Sequence, residues 1–259
     1  MTGSWRSVWP KGFGAGLMAI YRRELVQDAR GLLAYLFAAS FVAVSVLLAF
    51  QVGGLFEAGR ADLAAFFQFH PWLFVVLMPA LSMRAWSEES RTGTIETLLS
   101  LPVSVPALVL GKFLAAWTLV ALMLILTTPL WIGVSLLGPV DHQATLTAYL
   151  GSFLLAGAGL AIGMAASAAC RSQVMSFITA LGVTFIMTAA GLPLIASTLM
   201  PILGTSATAA ITSISLLDAY AGFERGVIDV DSLIHLLGVS GLGLALAGLW
   251  VDNRRGGGR

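Results

Sequence analysis

The chain has 259 residues, of which 58% are hydrophobic and 10% charged, whereas soluble domains carry roughly 25% charged residues. A mean hydropathy of +0.91, with apolar stretches longer than the roughly 18 residues that mark a spanning helix, excludes a water-soluble globule. The net charge of +1 arises from 14 basic and 13 acidic residues without a basic cluster, so no nucleic-acid partner is expected. An outer-membrane barrel would show short segments of alternating polarity, which this sequence lacks.

Residues 1–30 are predicted to form a cytoplasmic N-terminal segment that contains an amphipathic helix over 13–29. Apolar residues recur there at every fourth position, and arginines lie elsewhere around the axis; the apolar residues are Phe13, Leu17, Tyr21 and Leu25. This pattern is typical of a helix that lies on the membrane surface, in contact with lipids. A basic flank of the first span is the simpler interpretation.

Windows of about 19 residues predict six spans. They cover residues 31–53, 69–86, 105–137, 144–169, 174–203 and 233–251. The third and fifth exceed the length that a hydrocarbon core of roughly 30 Å requires, so we expect kinks at Pro129 and Pro193. The fold class is therefore all-α, a polytopic membrane protein with six transmembrane helices over 31–251 and a flexible tail over 252–259.

Basic residues predict the orientation of these spans. An even number of spans places both termini on one side. If that side is the cytoplasm, 12 of the 14 basic residues lie inside and only Arg60 and Arg225 lie outside. We therefore expect a multi-pass protein of the bacterial cytoplasmic (inner) membrane with both termini in the cytoplasm.

Small residues recur at helical spacing in two of the predicted spans. Gly159 and Gly163 share one face of the fourth span, and Gly241 and Ala245 share one face of the sixth. Such pairs let helices approach closely in lipid. We expect them to serve packing inside the bundle.

A charged stretch over 84–102 separates the second and third spans. It contains Glu88, Glu89 and Glu96. Each carboxylate would cost about 2.5–3.5 kcal/mol in lipid on an insertion scale for Asp, so this stretch is expected in water or against protein.

The same stretch carries signals for two short helices. Gly93 can end the first helix in a left-handed conformation, and Thr94 can cap the second. Pro102 stops the second helix. Residues 85–101 are therefore predicted to form a short cytoplasmic coupling helix held between two spans, a construction that passes a push from a soluble partner into the membrane.

At this stretch the sequence resembles the type-two ABC transporter permeases, which are exporter-like membrane subunits, and most closely their gliding-motility branch. The resemblance covers nearly the whole chain. The residues that carry it are Glu88-Glu89, Arg91-Thr92-Gly93-Thr94-Ile95-Glu96, Leu98-Leu99, Pro102-Val103-Ser104 and Gly111-Lys112.

The resemblance implies a permease subunit of an ABC transporter that is not an enzyme by itself. It implies two soluble P-loop ATPase subunits, which would carry ATP and Mg, and a second permease copy or a homologous membrane subunit. Gly111-Lys112 lacks the upstream glycine and the following Ser or Thr of a phosphate-binding loop, so no cofactor is expected on this chain. The family handles polysaccharides, lipids, peptides and drugs or transmits force, and the sequence does not identify the substrate.

The coupling helix of this family docks on the ATPase, so its residues carry over as predicted partner contacts. They are Glu88, Glu89, Arg91, Thr92, Gly93, Thr94 and Glu96, with a looser correspondence at Arg22, Arg23 and Glu24. Replacing Glu88 and Glu89 with lysine should then uncouple the ATPase and leave the fold intact. Residues 204–232 correspond to an outer re-entrant or surface segment, which an extracytoplasmic auxiliary subunit could contact.

Three alternatives stay open. A passive channel or secondary transporter would place ionisable groups inside its spans, whereas Lys112 lies close enough to the inner end to snorkel.

The sequence Gly238-Val239-Ser240-Gly241 matches a short motif of intramembrane serine proteases, but His235 is about 140° away around an ideal helix. His70, His142 and His235 could ligate a transition metal at the outer side, although they show no paired spacing.

Overall fold

A computed structural model describes residues 12–54, 62–100 and 102–256. These residues form thirteen helices and no strand, which confirms the all-α fold class. The helices are α1 Phe13–Arg30, α2 Leu32–Gln51, α3 Ala64–Phe67, α4 His70–Ser82, α5 Arg84–Thr92, α6 Ile95–Ser100, α7 Val105–Ile125, α8 Thr128–Leu137, α9 His142–Ala169, α10 Gln173–Ala189, α11 Pro193–Thr212, α12 Leu216–Glu224 and α13 Val230–Gly256. Residues 1–11, Arg60, Leu101 and the last three residues of the predicted tail lie outside the described residues.

Within the described residues, five helical stretches are long and apolar enough to cross a membrane. They are Leu32–Gln51, Ala64–Thr92, Val105–Leu137, His142–Ala169 and Val230–Arg254. A sixth span results if Gln173–Ala189 and Pro193–Ile202 are counted as one, bent by 80°. The chain is a multi-pass membrane protein. Five of the six predicted spans have a continuous counterpart, and the predicted span 174–203 corresponds to the bent pair. The last helix continues to Gly256, into the segment predicted to be a flexible tail.

Proline marks the breaks in both long spans. Pro193 is the first residue of α11 and follows the 80° bend directly. Pro129 lies in the first turn of α8, just after α7 ends at Ile125, and the two helices still form one stretch. Proline suits a first helical turn because its missing N–H needs no partner there. A further break that the sequence did not reveal lies at Gly204, whose φ of 78° interrupts α11.

The centre of the bundle is α9. Of its most apolar stretch 83% is buried, against 17% for α2. Two glycines make this burial possible. A Cβ added at Gly159 would lie 2.9 Å from the Cβ of Met78, and one at Gly163 would lie 2.9 Å from the Cβ of Ser82. The predicted close approach in the fourth span is thus confirmed, and its partner is α4.

The last helix approaches α9 in the same way, but through a different glycine. A Cβ added at Gly243 would lie 2.7 Å from the backbone carbon of Ala161, whereas one at Gly241 would meet nothing within 4 Å. The pair Gly241 and Ala245 is therefore not the packing pair that the spacing predicted. Periodicity finds small residues but not the side of the helix on which a neighbour lies.

The predicted N-terminal helix packs on protein. It lies along α7, with Ile20 buried and Phe13 53% exposed. Gly16 faces Val103, and Gly111 of α7 faces Ile20 so closely that a Cβ there would lie 2.8 Å from the Ile20 side chain. Glycines on both helices thus set the closest contacts, while Leu17 and Tyr21 of the predicted stripe lie beside them and are partly buried against protein.

Four helices are joined at one end of the bundle by a chain of buried polar groups. The Nδ1 atom of His70 in α4 lies 2.7 Å from the Ser152 hydroxyl of α9. That hydroxyl lies 3.1 Å from the Tyr220 hydroxyl of α12, which donates to the Phe67 carbonyl of α3. Because the Tyr220 proton goes to Phe67, Ser152 donates to Tyr220 and His70 donates from Nδ1. We call His70, Ser152 and Tyr220 the distal clamp.

The described chain begins and ends at the opposite end of the bundle, where α5 and α6 lie. There α1 packs on α7, and Arg254 of α13 donates a hydrogen bond to Ser90 of α5. Residues 204–232 comprise the end of α11, α12, the turn that follows it and the first three residues of α13. This segment lies at the end of the distal clamp, since α12 supplies Tyr220.

Candidate partner-docking site

The charged stretch between the second and third spans forms the predicted pair of short helices. Gly93 ends α5 with φ 73° and ψ 4°, the left-handed conformation that favours glycine. The Thr94 carbonyl accepts the first bond of α6 from Leu98 N, and Glu96 lies in the first turn of α6. The Thr94 hydroxyl lies 2.9 Å from the Thr92 hydroxyl. We call residues 84–100 the coupling segment.

The coupling segment rests on the central helix through one hydroxyl. Ser167 of α9 accepts hydrogen bonds from the backbone N–H groups of Trp86 and Ser87, at 3.0 and 3.1 Å. It donates to the Met83 carbonyl at 2.9 Å. The Trp86 side chain is fully buried. A single serine therefore fixes the place where the second span passes into α5.

Two further helices reach α5 with polar side chains. Gln173, the first residue of α10, donates to the Glu88 carboxylate at 2.8 Å, and Arg254 of α13 donates to the Ser90 hydroxyl. Glu88 also pairs with Arg84 at 2.7 Å. Three separate spans thus converge on the short helix α5, so its position depends on the whole bundle.

Lys112 is the centre of a buried ion-pair cluster. Its Nζ donates to the Glu89 carboxylate of α5 at 2.8 Å. It also lies 3.2 Å from Glu24 Oε1 of α1, in an ion pair without hydrogen-bond geometry. The Lys112 side chain is 6% exposed and its Nζ is 5.2 Å from the centre of the Trp86 ring. Lys112 therefore does not snorkel to water as expected, because two carboxylates meet it inside the protein. We call Glu24, Glu89 and Lys112 the lysine cluster.

A cavity of about 500 Å³ adjoins the lysine cluster. The lysine cluster, Asp28 and Arg84 line its polar side, and Leu33, Phe37 and Leu119 are among the residues that line its apolar side. Burial and, after it, the neighbouring Glu24 carboxylate raise the pKa of Asp28, against the opposing effect of Lys112. The space between α1, α5 and α7 is thus lined by groups of both charges and is not filled by side chains.

The predicted partner contacts separate into three groups in the structure, which differ in their exposure. The residues on the surface are Arg22, Arg23, Arg91, Thr92, Gly93, Thr94 and Glu96. Glu88 is partly covered, with its side chain 30% exposed. Glu24 and Glu89 are 13% and 15% exposed and face Lys112. A partner protein can therefore reach the turn at Gly93 directly, whereas Glu24 and Glu89 are committed to contacts inside the chain.

Sequence reasoning did not identify Lys112, Ser167, Gln173 and Arg254 as parts of this site. A lysine eight residues into an apolar helix is a usable signal, because a buried ammonium needs an acidic partner. Ser167 gives no such signal, since it lies among alanines and a helical serine usually bonds to its own helix.

The turn at Gly93 leads to a first prediction. A Cβ at Gly93 would meet nothing within 4 Å, so substitution acts through φ alone. We expect Gly93→Val to cost about 1–2 kcal/mol and to open the turn, whereas Gly93→Asn, which tolerates the left-handed region, stays close to the wild type. Limited trypsin digestion checks this, with faster cleavage after Arg91 in the valine variant only. Equal cleavage of all three proteins would contradict it.

The residues of the alternative sites lie in ordinary packing environments. Ser240 donates to the Leu236 carbonyl of its own helix at 2.8 Å. His142 accepts from Trp131 Nε1 at 3.2 Å, and His70 belongs to the distal clamp. His235 lines a pocket of about 400 Å³ at the ends of α11 and α12. Among the residues that the structure describes, no three His, Cys, Asp or Glu side chains are grouped as metal ligands.

Comparison with protein families identifies a match. The family model described as ABC-2 family transporter protein matches residues 36–221. The match begins in α2, includes the coupling segment and the central helix α9, and ends in α12. No curated protein matches the sequence.

Proposed function

This chain belongs to the ABC-2 family of transporter proteins, and on that premise we propose that it couples ATP hydrolysis by separate ATPase subunits to export of a substrate. As a member of this family it is the permease, the membrane subunit of an ABC transporter. ATP and Mg would be bound by two soluble P-loop ATPases. The permease itself would contribute the docking surface and the transmembrane path.

The observation that carries this proposal is the coupling segment. Its turn at residues 91–94 is exposed, while the helix behind it is held by α7, α9, α10 and α13. A flexible loop would dissipate a force applied to it, but a helix with this support transmits force to the spans. The arrangement therefore suits a soluble partner that pushes on the turn.

The proposed contacts are the surface residues of the turn and of α1. Arg22, Arg23 and Arg91 offer positive charge, and Glu96 offers one carboxylate in the first turn of α6. Charged groups at the rim of an interface chiefly guide encounter and set specificity. We expect the matching surface of the ATPase to be mainly acidic.

The α2 surface supports a second membrane subunit. Apolar side chains cover the outside of α2, with Leu32 81% and Leu47 57% exposed. Lipid alone can cover such a surface, but a permease with two ATPases needs two membrane subunits. We propose that a second copy or a homologue packs here, with lipids around the pair.

The coupling segment supports a proposal for the placement in the cell. A soluble ATPase lies in the cytoplasm, so α1, the coupling segment and the end of α13 would face the cytoplasm of a bacterium, and the distal clamp would face outward. Residues 204–232 would then be accessible to an extracytoplasmic auxiliary subunit. Membership of the gliding-motility branch stays a prediction from the sequence, and the substrate stays open.

Co-purification tests the proposal. The tagged chain, expressed in its native membrane and extracted in mild detergent, should retain a P-loop ATPase that mass spectrometry identifies. Arg91→Glu should reduce the amount of bound ATPase about tenfold, because it reverses a charge on the exposed turn. Arg225→Glu, an equal charge change at the opposite end of the bundle, serves as the control. Absence of an ATPase from the wild-type preparation, or equal loss in both variants, would contradict the proposal.

A further inference from the structure

The lysine cluster joins three helices that are separate in sequence. Lys112 belongs to α7, Glu24 to α1 and Glu89 to α5. We propose that Lys112 is a positioning residue that fastens α1 and the coupling segment to α7, so that the three helices move as one body when a partner acts on the turn. This inference rests on the proposed function for the source of the force, but not for the geometry.

Besides the pair of Lys112 with Glu24, packing and one hydrogen bond between hydroxyls hold α1 on α7. Gly111 and Ile20 are in close contact, Gly16 faces Val103, and the hydroxyls of Tyr21 and Thr118 lie 3.2 Å apart. These contacts form a continuous interface along the two helices. The helix α1 would therefore follow α7 even without charge.

The helix α5 is held differently. The cavity of about 500 Å³ lies between α1, α2, α5 and α7, so side chains do not fill the space on this side of the coupling segment. Lys112 spans part of that space, and its Nζ meets Glu89 at 2.8 Å. An ion pair acts where shape complementarity is missing, because charge attraction does not require a filled volume.

Because the charges are buried, the lysine cluster selects one relative position of the helices. The three side chains are 6 to 15% exposed, and a buried charge needs a partner at a specific place. Lys112 therefore favours one position of α5 relative to α1 and disfavours the others. Such a contact fixes register more than it adds stability, the best-attested use of buried polar groups.

Spin-label distances test the inference directly. We would replace Cys170, the single native cysteine, with alanine and place labels at Met18→Cys in α1 and Ser100→Cys in α6, both on exposed sites. The protein in lipid nanodiscs should give one narrow distance distribution. With the co-purified ATPase bound, that distance should be the same with and without ATP.

The critical variant is the neutral triple Glu24→Gln, Lys112→Met and Glu89→Gln, which removes the cluster without leaving a buried charge unpaired. We expect its distance distribution to widen about twofold, because the charges that fix the register are gone. A reversed cluster, Glu24→Gln, Lys112→Glu and Glu89→Lys, should restore the narrow distribution. If the cluster contributed only to the stability of the fold, both variants would have a lower melting temperature, and the reversed cluster would not restore the narrow distance distribution.

The matched control is Tyr21→Phe, which removes a neutral hydrogen bond between α1 and α7 and should leave the distribution narrow. A neutral triple that stays as narrow as the wild type, or a reversed cluster that stays wide, would overturn the inference. The measurement on the isolated chain is independent of the ATPase. If no ATPase binds the wild type, the proposed function fails. The fastening role of Lys112 still stands if the distance distribution is narrow in the wild type, wide in the neutral triple and narrow again in the reversed cluster.

Discussion

Gly163→Ala is expected to lower the stability of the protein markedly, and Gly163→Leu to prevent folding. The new Cβ would lie 2.9 Å from the Cβ of Ser82 and overlap its hydroxyl. That hydroxyl is held by the Met78 carbonyl at 2.7 Å and is fully buried. The helices α4 and α9 must then separate along the core, and overpacking of this kind costs about 1–3 kcal/mol. Thermal unfolding in detergent measures the loss.

Two variants separate crowding from the loss of glycine itself. Gly182→Ala in α10 adds a Cβ that meets nothing within 4 Å, and alanine is the better helix former, so this variant should melt at or above the wild type. Ser82→Gly combined with Gly163→Ala moves the small residue to the other helix and should recover most of the loss. Gly163→Ala with an unchanged melting temperature would show that α4 and α9 do not approach as closely as described.

Separate charge reversals at Glu88 and Glu89 are expected to give opposite results. Glu89→Lys places a second ammonium beside Lys112 in a site that is 6 to 15% exposed. Removing one partner of a buried ion pair costs about 3–5 kcal/mol, and the added repulsion increases this, so the variant should lose its folded state on mild heating. The sequence alone suggested that the fold would survive reversal of both carboxylates. From the structure we expect the fold to survive only the reversal of Glu88.

Glu88→Lys should keep the fold and lose the partner. Its pair with Arg84 lies at the surface, where such pairs contribute about 0–1 kcal/mol. The variant should melt close to the wild type while retaining much less ATPase. Glu88 also pairs with Arg91 at 3.5 Å. Gln173→Leu removes the neutral contact of Glu88 without changing charge and serves as the control for binding. Equal melting temperatures for the two single reversals would contradict the assignment of Glu89 to the interior.

The spans and the helix–turn–helix at Gly93 could be predicted because their causes are local. A spanning helix requires only a long apolar stretch, and a left-handed glycine followed by Thr94 ends one helix and begins the next. The bend in the fifth span could be predicted from Pro193, because proline acts on the helix at its own position. These features depend on a few neighbouring residues and on the length of a helix, which the sequence displays directly.

The contacts of Glu24 and Glu89 could not be predicted because they depend on which helices meet. Both residues are charged and lie outside the apolar stretches, which is also the signature of a docking surface. Only the crossing of α1 and α5 with α7 turns them toward Lys112. The role of Ser167 was equally unpredictable, since its three backbone partners lie 80, 81 and 84 residues away.

The distal clamp and Ser167 hold the same two helices at points far apart. On α9, Ser152 and Ser167 are fifteen residues apart, which corresponds to about 22 Å along a helix. Their partners His70, at the start of α4, and Met83, directly after its end, are thirteen residues apart, or about 20 Å. Two parallel helices, α4 and α9, that are joined near both ends resist bending and sliding relative to each other. We expect a displacement of α5 to be passed along α4 and α9 to Tyr220, so that α12, at the opposite end of the bundle, would respond to what happens at the turn at Gly93.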